Sequence, residues 1–152
     1  MPTNENKPRV LVTAEEEARV ARALTLWLNT YPDKPVPLIQ FERLPSDGKG
    51  MSISAIQAAY KTRQYIFGGY EAQYQFKVIY RVYPDDSDSD LAADEQLNKL
   101  GAWCETATTF PEVGDAIKVQ AVRRNSTSAL FAVYDDGARD YQILMTMIYE
   151  VI

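Results

Sequence analysis

GGYEAQYQFKVIYRVYP, residues 68–84, reads as one long strand entered through a glycine pair. Ala72, Tyr74, Phe76, Val78, Tyr80 and Val82 recur at every second position, and Glu71, Gln73, Gln75, Lys77 and Arg81 stand between them. Side chains alternate across a strand, so this spelling gives one apolar face and one hydrogen-bonding face. Gly68-Gly69 precedes a strand and not a helix, which fits neither Walker nor Rossmann phosphate binding. The pair is expected to supply a positive-φ turn or a bulge.

An apolar strand face needs a cover, and two helical patterns flank it. Upstream, Val20, Leu24, Trp27 and Leu28 follow helical spacing. That helix is expected to start at Thr13, with Thr13 and Glu16 as a capping box and Glu15 to Glu17 complementing its dipole. Asn29 and the proline-rich YPDKPVP should end it. Downstream, Ala93, Leu97, Leu100 and Cys104 form the inward stripe of a helix over about 89–105, with Trp103 at its margin. The acidic run DDSDSD, 85–90, lacks the Gly and Glu spacing of a calcium loop. It reads as an N-cap cluster in which Ser87 or Ser89 caps.

The remaining segments read as strands. Pro37 to Leu44 is a weak strand, and PSDGKG, 45–50, is a loop. In Met51 to Phe67, Met51, Ile53 and Ala55 alternate as in a strand while Ile56, Ala59 and Tyr60 also suit a short helix; strand is favoured because Tyr65-Ile66-Phe67 leads directly into the opening stretch. Ile117, Val119 and Ala121 form one later apolar face, and Ala129, Phe131 and Val133 another. The Asp-Gly in YDDGARDY marks a hairpin. The last strand carries Tyr141, Ile143, Met145, Met147, Tyr149 and Val151 on one side, with Leu144 and Ile148 on the other. Apolar on both sides, it should be central in its sheet or covered by a neighbouring subunit. The expected fold is α+β: a mostly antiparallel sheet, two main helices on one face, and a protruding loop or hairpin. Residues 1–12 are expected to be a flexible N-terminal arm and 13–152 a single domain.

Composition narrows the chemistry. The 152 residues include no histidine and a single cysteine, Cys104. The commonest general base, the usual zinc ligand and every histidine-containing triad are therefore missing. Cys104, within a helical pattern, reads as a small buried side chain. Glu42, Glu71 and Asp140 lie on or beside strands, but no spacing brings two of them together as a glycosidase pair requires. The net charge of −5 opposes nucleic-acid binding by counterion release. The Arg123-Arg124 pair would split across the two faces of a strand. No apolar run approaches the roughly 18 to 20 residues that span a bilayer, and the first residues lack signal-peptide layout, so synthesis in the cytoplasm is expected. Ten tyrosines against five phenylalanines suit either sheet packing or a protein interface.

In order and texture the chain resembles the small tail terminator and minor capsid (neck) proteins of long-tailed phages. The resemblance is carried by YIFGGYEAQYQFKVIYRV, the acidic connector, LAADEQLNKLGAWCE, FPEVGDAIKVQAV and DDGARDYQILMTMIYEV, and covers about residues 14–152. It implies a non-enzymatic virion part, without cofactor, that forms a hexameric ring at the head-proximal end of the tail tube. The implied partners are further copies of itself, the major tail-tube protein and the head–tail connector or neck protein. DNA would pass through the lumen without specific binding, and no membrane is involved. Another neck or tail layer, such as a head–tail joining protein or tail-tube-like subunit, is the alternative. A third reading, from another class, is a small-molecule-binding domain using Glu71, Arg81, Tyr74 and Tyr149. No catalytic or metal residue is assigned. The expected interface comprises Glu71, Gln73, Gln75, Lys77 and Arg81 on the polar strand face, with Met51, Ile53, Lys61 and Arg63 from the preceding arm.

Overall fold

A computed structural model describes residues 9–45, 48–57 and 61–152, and from residue 15 onward their side chains. The elements run α1 (Arg9–Leu28), β1 (Ile39–Phe41), β2 (Gly50–Ala55), β3 (Lys61–Gln64), β4 (Tyr70–Val82), α2 (Ser87–Thr106), β5 (Ile117–Arg124), β6 (Ala129–Val133) and β7 (Arg139–Val151). All seven strands join one sheet of order β1-β2-β4-β7-β5, with β3 on β4 and β6 on β7. Among the described residues only the β1–β2 pair is parallel. The α+β architecture expected from the sequence is therefore the one observed.

β4 and β7 form the spine. Each is 13 residues long, and they pair antiparallel along their whole length, from Tyr70 opposite Val151 to Val82 opposite Arg139. Of the two placements open to a strand apolar on both sides, β7 takes the central one, between β4 and β5. Both outer flanks of this pair are broken strands. β2 covers positions 76–81 of β4 and β3 covers positions 70–72. On the other flank β5 covers positions 145–151 of β7 and β6 covers positions 139–142.

The apolar face of the spine is the core. Tyr74, Phe76, Val78 and Tyr80 stand opposite Met147, Met145, Ile143 and Tyr141, and all eight are buried. Val20, Leu24, Trp27 and Leu28 of α1 and Ala93, Leu97, Leu100 and Cys104 of α2 close over them in one cluster. The helices meet through rings: Trp103 lies 4.7 Å from Trp27 and 5.1 Å from Tyr31, centroid to centroid. Helix α2 approaches the sheet so closely at Gly101 that an added Cβ would lie 2.9 Å from Ile143 Cδ1 and 2.5 Å from Arg124 Cδ. Burial pushes the Cys104 thiol up to about 12, so this cysteine is an inert core side chain.

Several local expectations are corrected. Helix α1 begins by Arg9, four residues before Thr13, so Glu16 is not in its first turn. Glu16 is instead 5% exposed and accepts hydrogen bonds from the Tyr70 and Tyr149 hydroxyls, the latter at 2.7 Å. The cap of α2 is Asp86, not Ser87 or Ser89; its carboxylate accepts the Ser89 N–H at 2.9 Å, which holds its pKa below the ordinary aspartate value. The expected Pro37–Leu44 strand shrinks to Ile39–Phe41. Asn29 grips Ile39 through both its N–H and its C=O, and Glu42 turns the chain away with a φ of 57°. In β5 the inward set is Ile117, Val119 and then Val122, because a bulge between Val119 and Ala121 shifts the phase. β6 buries little: Phe131 is 44% and Val133 60% exposed, so its alternation does not mark a core face. Part of the 45–50 loop and of the 51–67 strand reading falls on residues 46–47 and 58–60, outside the described residues.

Candidate assembly surface

With both helices on one face, the opposite face of the spine is lined by the polar alternates of β4. Gln73, Gln75, Lys77 and Arg81 stand opposite Ile148, Thr146, Leu144 and Asp140 of β7. These four β4 residues are half-buried, in contrast to the fully buried residues between them. Strand alternation thus brings together five of the expected interface residues, Glu71, Gln73, Gln75, Lys77 and Arg81, on a face without a helix.

The face is a braced network rather than a loose charged patch. Arg81 makes a two-pronged ion pair with Asp140, Nε to Oδ1 and Nη2 to Oδ2, both at 2.8 Å. Asp140 is 1% exposed and also accepts the Tyr134 hydroxyl at 2.9 Å. Arg81 lies 4.9 Å from the centre of the Tyr134 ring, and Lys77 Nζ 5.4 Å from that of Phe131. The pairing raises the Arg81 pKa further above its ordinary value, so Arg81 is a fixed cation.

At the other end Glu71 stands directly opposite Glu150, an unfavourable like-charge pair in isolation. Donors relieve it. Thr62 Oγ1 donates to Glu71 at 2.9 Å, and Tyr65 Oη and Gln120 Nε2 donate to Glu150 at 2.9 and 3.1 Å. The Tyr65 phenol is raised in pKa chiefly by that bond to Glu150, so it remains a donor through neutral pH.

The preceding arm divides. Lys61 and Arg63 lie on β3, Lys61 Nζ 4.3 Å from the Tyr70 ring centre and Arg63 exposed. Met51 and Ile53 are 1% and 0% exposed, opposite Tyr80 and Val78 in the core. Those two are therefore packing residues and present no surface to a partner. Their alternation with Ser52 and Ser54 marked an apolar face correctly but not which side of the sheet it joins.

Sequence reasoning expected a protruding arm over 46–66 but read Tyr65-Ile66-Phe67 as strand, and so missed the exposed β3–β4 tip. Ile66 is 92% and Phe67 100% exposed. The turn beneath them is fixed: Tyr65 N–H donates to Gly69 C=O at 3.1 Å, Gln64 Nε2 donates to the same oxygen at 2.8 Å, and Gly68 and Gly69 take φ of 94° and 78°. A Cβ on Gly69 would come within 2.5 Å of Val151 C=O, so the glycine pair serves the turn and a close backbone approach. The signal was present in Ile66-Phe67 directly before the two glycines.

The residues suggested for a small-molecule site do not converge. Tyr74 and Tyr149 belong to the helix-covered face, and Glu71 and Arg81 to the opposite one. Glu42 is engaged by Ala55 N–H at 2.8 Å and Ser54 Oγ at 3.0 Å, and Asp140 by Arg81, which leaves no carboxylate pair for hydrolysis among those considered. Among the described residues no three carboxylate or thiol groups are placed to hold a metal ion. No helix there is long and apolar enough to cross a membrane.

No family model matches the chain, and no curated protein matches it. Among solved structures, a chain from the virion of a native gene transfer agent particle matches with a TM-score of 0.56 at 13% identity, over 87% of this chain and 93% of that one. At that identity the likeness is one of fold. A second solved chain is 16% identical over 97% of both chains, but its TM-score of 0.43 carries no argument.

Proposed function

We propose that this chain is a structural virion protein of a phage or phage-like particle, and specifically a tail terminator. It would close the tail tube as a ring, six subunits being the expected number, and offer the neck its docking surface. The observation that carries the reading is the fold shared, over nearly the full length of both chains, with a component of a gene transfer agent virion. The helix-free polar face supports it, because a ring needs two different patches that meet head to tail. Glu71, Gln73, Gln75, Lys77, Arg81, Lys61 and Arg63 are the residues assigned to these contacts. The acidic balance suits a lumen through which DNA slides without adhering. The protein acts here by shape and assembly, as a partner of tube and neck subunits and not as an enzyme.

Light scattering on the eluting protein, with electron microscopy of tail ends, tests this directly. One closed ring that seats on the tube end is the expected outcome. Long stacks would instead indicate a tube-like subunit, and a chain that stays monomeric and never joins tails would refute the reading. Gln73→Ala with Gln75→Ala should leave the folded state intact and impair assembly. Phe76→Ala, in the core, should lose about 3–5 kcal/mol of stability.

A further inference from the structure

The described surface carries an apolar projection and an apolar recess at different places. The projection is the braced tip, Ile66 and Phe67. The recess is an open groove of about 610 Å³ between α1 and the β1–β2 edge, walled mainly by Ala18, Ala21, Leu26, Phe41, Ala55 and Tyr74. Leu26 at its wall is 67% exposed and Phe41 40%. An apolar side chain held out in water on a turn fixed by hydrogen bonds is a surface in search of cover.

We infer that the Ile66-Phe67 tip of one copy docks into the α1–β1 groove of the next copy. This rests on the ring reading above and names the contact that would build the ring. Charge favours the match. Arg63 is an exposed cation on the strand that leads into the tip, and Glu17 lines the groove with Glu15 exposed nearby on the same helix. Arg22 also lines the groove, so the match is to the Glu17 carboxylate itself and not to an acidic groove. The described residues leave the tip almost wholly exposed, Ile66 at 92% and Phe67 at 100%, so it is open to a neighbour. Because projection and recess are different patches, the contact is head to tail and propagates from copy to copy until rotation closes it.

Cysteine cross-linking tests the contact in the full chain, since the native Cys104 is buried and inert. Phe67→Cys with Leu26→Cys should give, on mild oxidation, a ladder of disulfide-linked oligomers up to the ring number. Phe67→Cys alone should give none beyond a dimer. Independently, Ile66→Ser with Phe67→Ser should raise the midpoint concentration of self-association by roughly 30-fold or more. Arg63→Glu should weaken association, and Glu17→Arg in the same chain should restore part of it. If the wild-type chain forms rings and the Ile66→Ser/Phe67→Ser variant forms them equally well, the docking is wrong while the ring reading stands. A disulfide closed within one copy, or removal of residues 2–8 leaving the groove newly able to bind, would show that the groove belongs to its own chain and overturn the proposal. A wild-type chain that never self-associates would overturn both.

Discussion

Glu16 shows how far a single residue can depart from its local reading. Its neighbours Thr13, Glu15 and Glu17 spell the first turn of a helix, yet its carboxylate lies inside the protein and ties α1 to β4 through Tyr70 and to β7 through Tyr149. A buried carboxylate of this kind is retained only because hydroxyl donors replace its water. Glu16→Ala is expected to cost about 2–3 kcal/mol, and Tyr149→Phe about 1–2 kcal/mol, as the shift in a urea unfolding midpoint at neutral pH. Equal stability in Glu16→Ala would mean that the tie is dispensable. Sequence could not have disclosed it, since the partners lie 54 and 133 positions away. By contrast, the role of Cys104 was legible, because a lone cysteine on the inward stripe of an amphipathic helix has little else to be.

Among the elements, β4, β7 and α2 were the most readable and β5 and β6 the least. A 13-residue strand that alternates at every position but Ile79 admits one reading, because a slip of one residue would turn nearly its whole apolar set to solvent. In β5 that logic fails at the bulge after Val119, where the extra residue reverses the alternation and brings Val122 inward. Deleting Gln120 should remove the bulge yet keep Val122 opposite Met147 and inward, so stability should change little, whereas Val122→Ala should cost about 2 kcal/mol as the shift in a urea midpoint. A deletion variant far less stable than the parent would mean that Gln120 is not the residue the ladder skips. β6 misled for another reason. Its Ala129, Phe131 and Val133 alternate as a core strand would, but all three are exposed.

At the scale of the whole molecule, stability should respond to pH at both extremes and little between them. With no histidine, no side chain of ordinary pKa titrates between about pH 6 and 8. Burial raises Tyr74 and Cys104 to about 12, and burial with the Asp90 hydrogen bond raises Tyr141 to about 12. Groups raised in the folded state hold their contribution below their unfolded values and lose it as pH climbs through the folded ones. The unfolding midpoint should thus be flat to about pH 9 and fall between pH 9 and 12. Glu105 is lowered by the Arg124 N–H and guanidinium, and Asp86 by the Ser89 N–H, so their contributions disappear as pH drops below about 4.5. A midpoint that rises between pH 9 and 12 would contradict this. The sequence by itself determined the α+β class, the two covering helices, the two-sided apolar character of the last strand and the polar alternates of β4, because each follows from periodicity along one segment. Only the tertiary structure decided that Met51 and Ile53 are core, that Glu16 is buried, and that GG, the pair on which the strand begins, holds Ile66 and Phe67 out in solvent. Those outcomes depend on which segments meet, and meetings between distant residues leave no period in the chain.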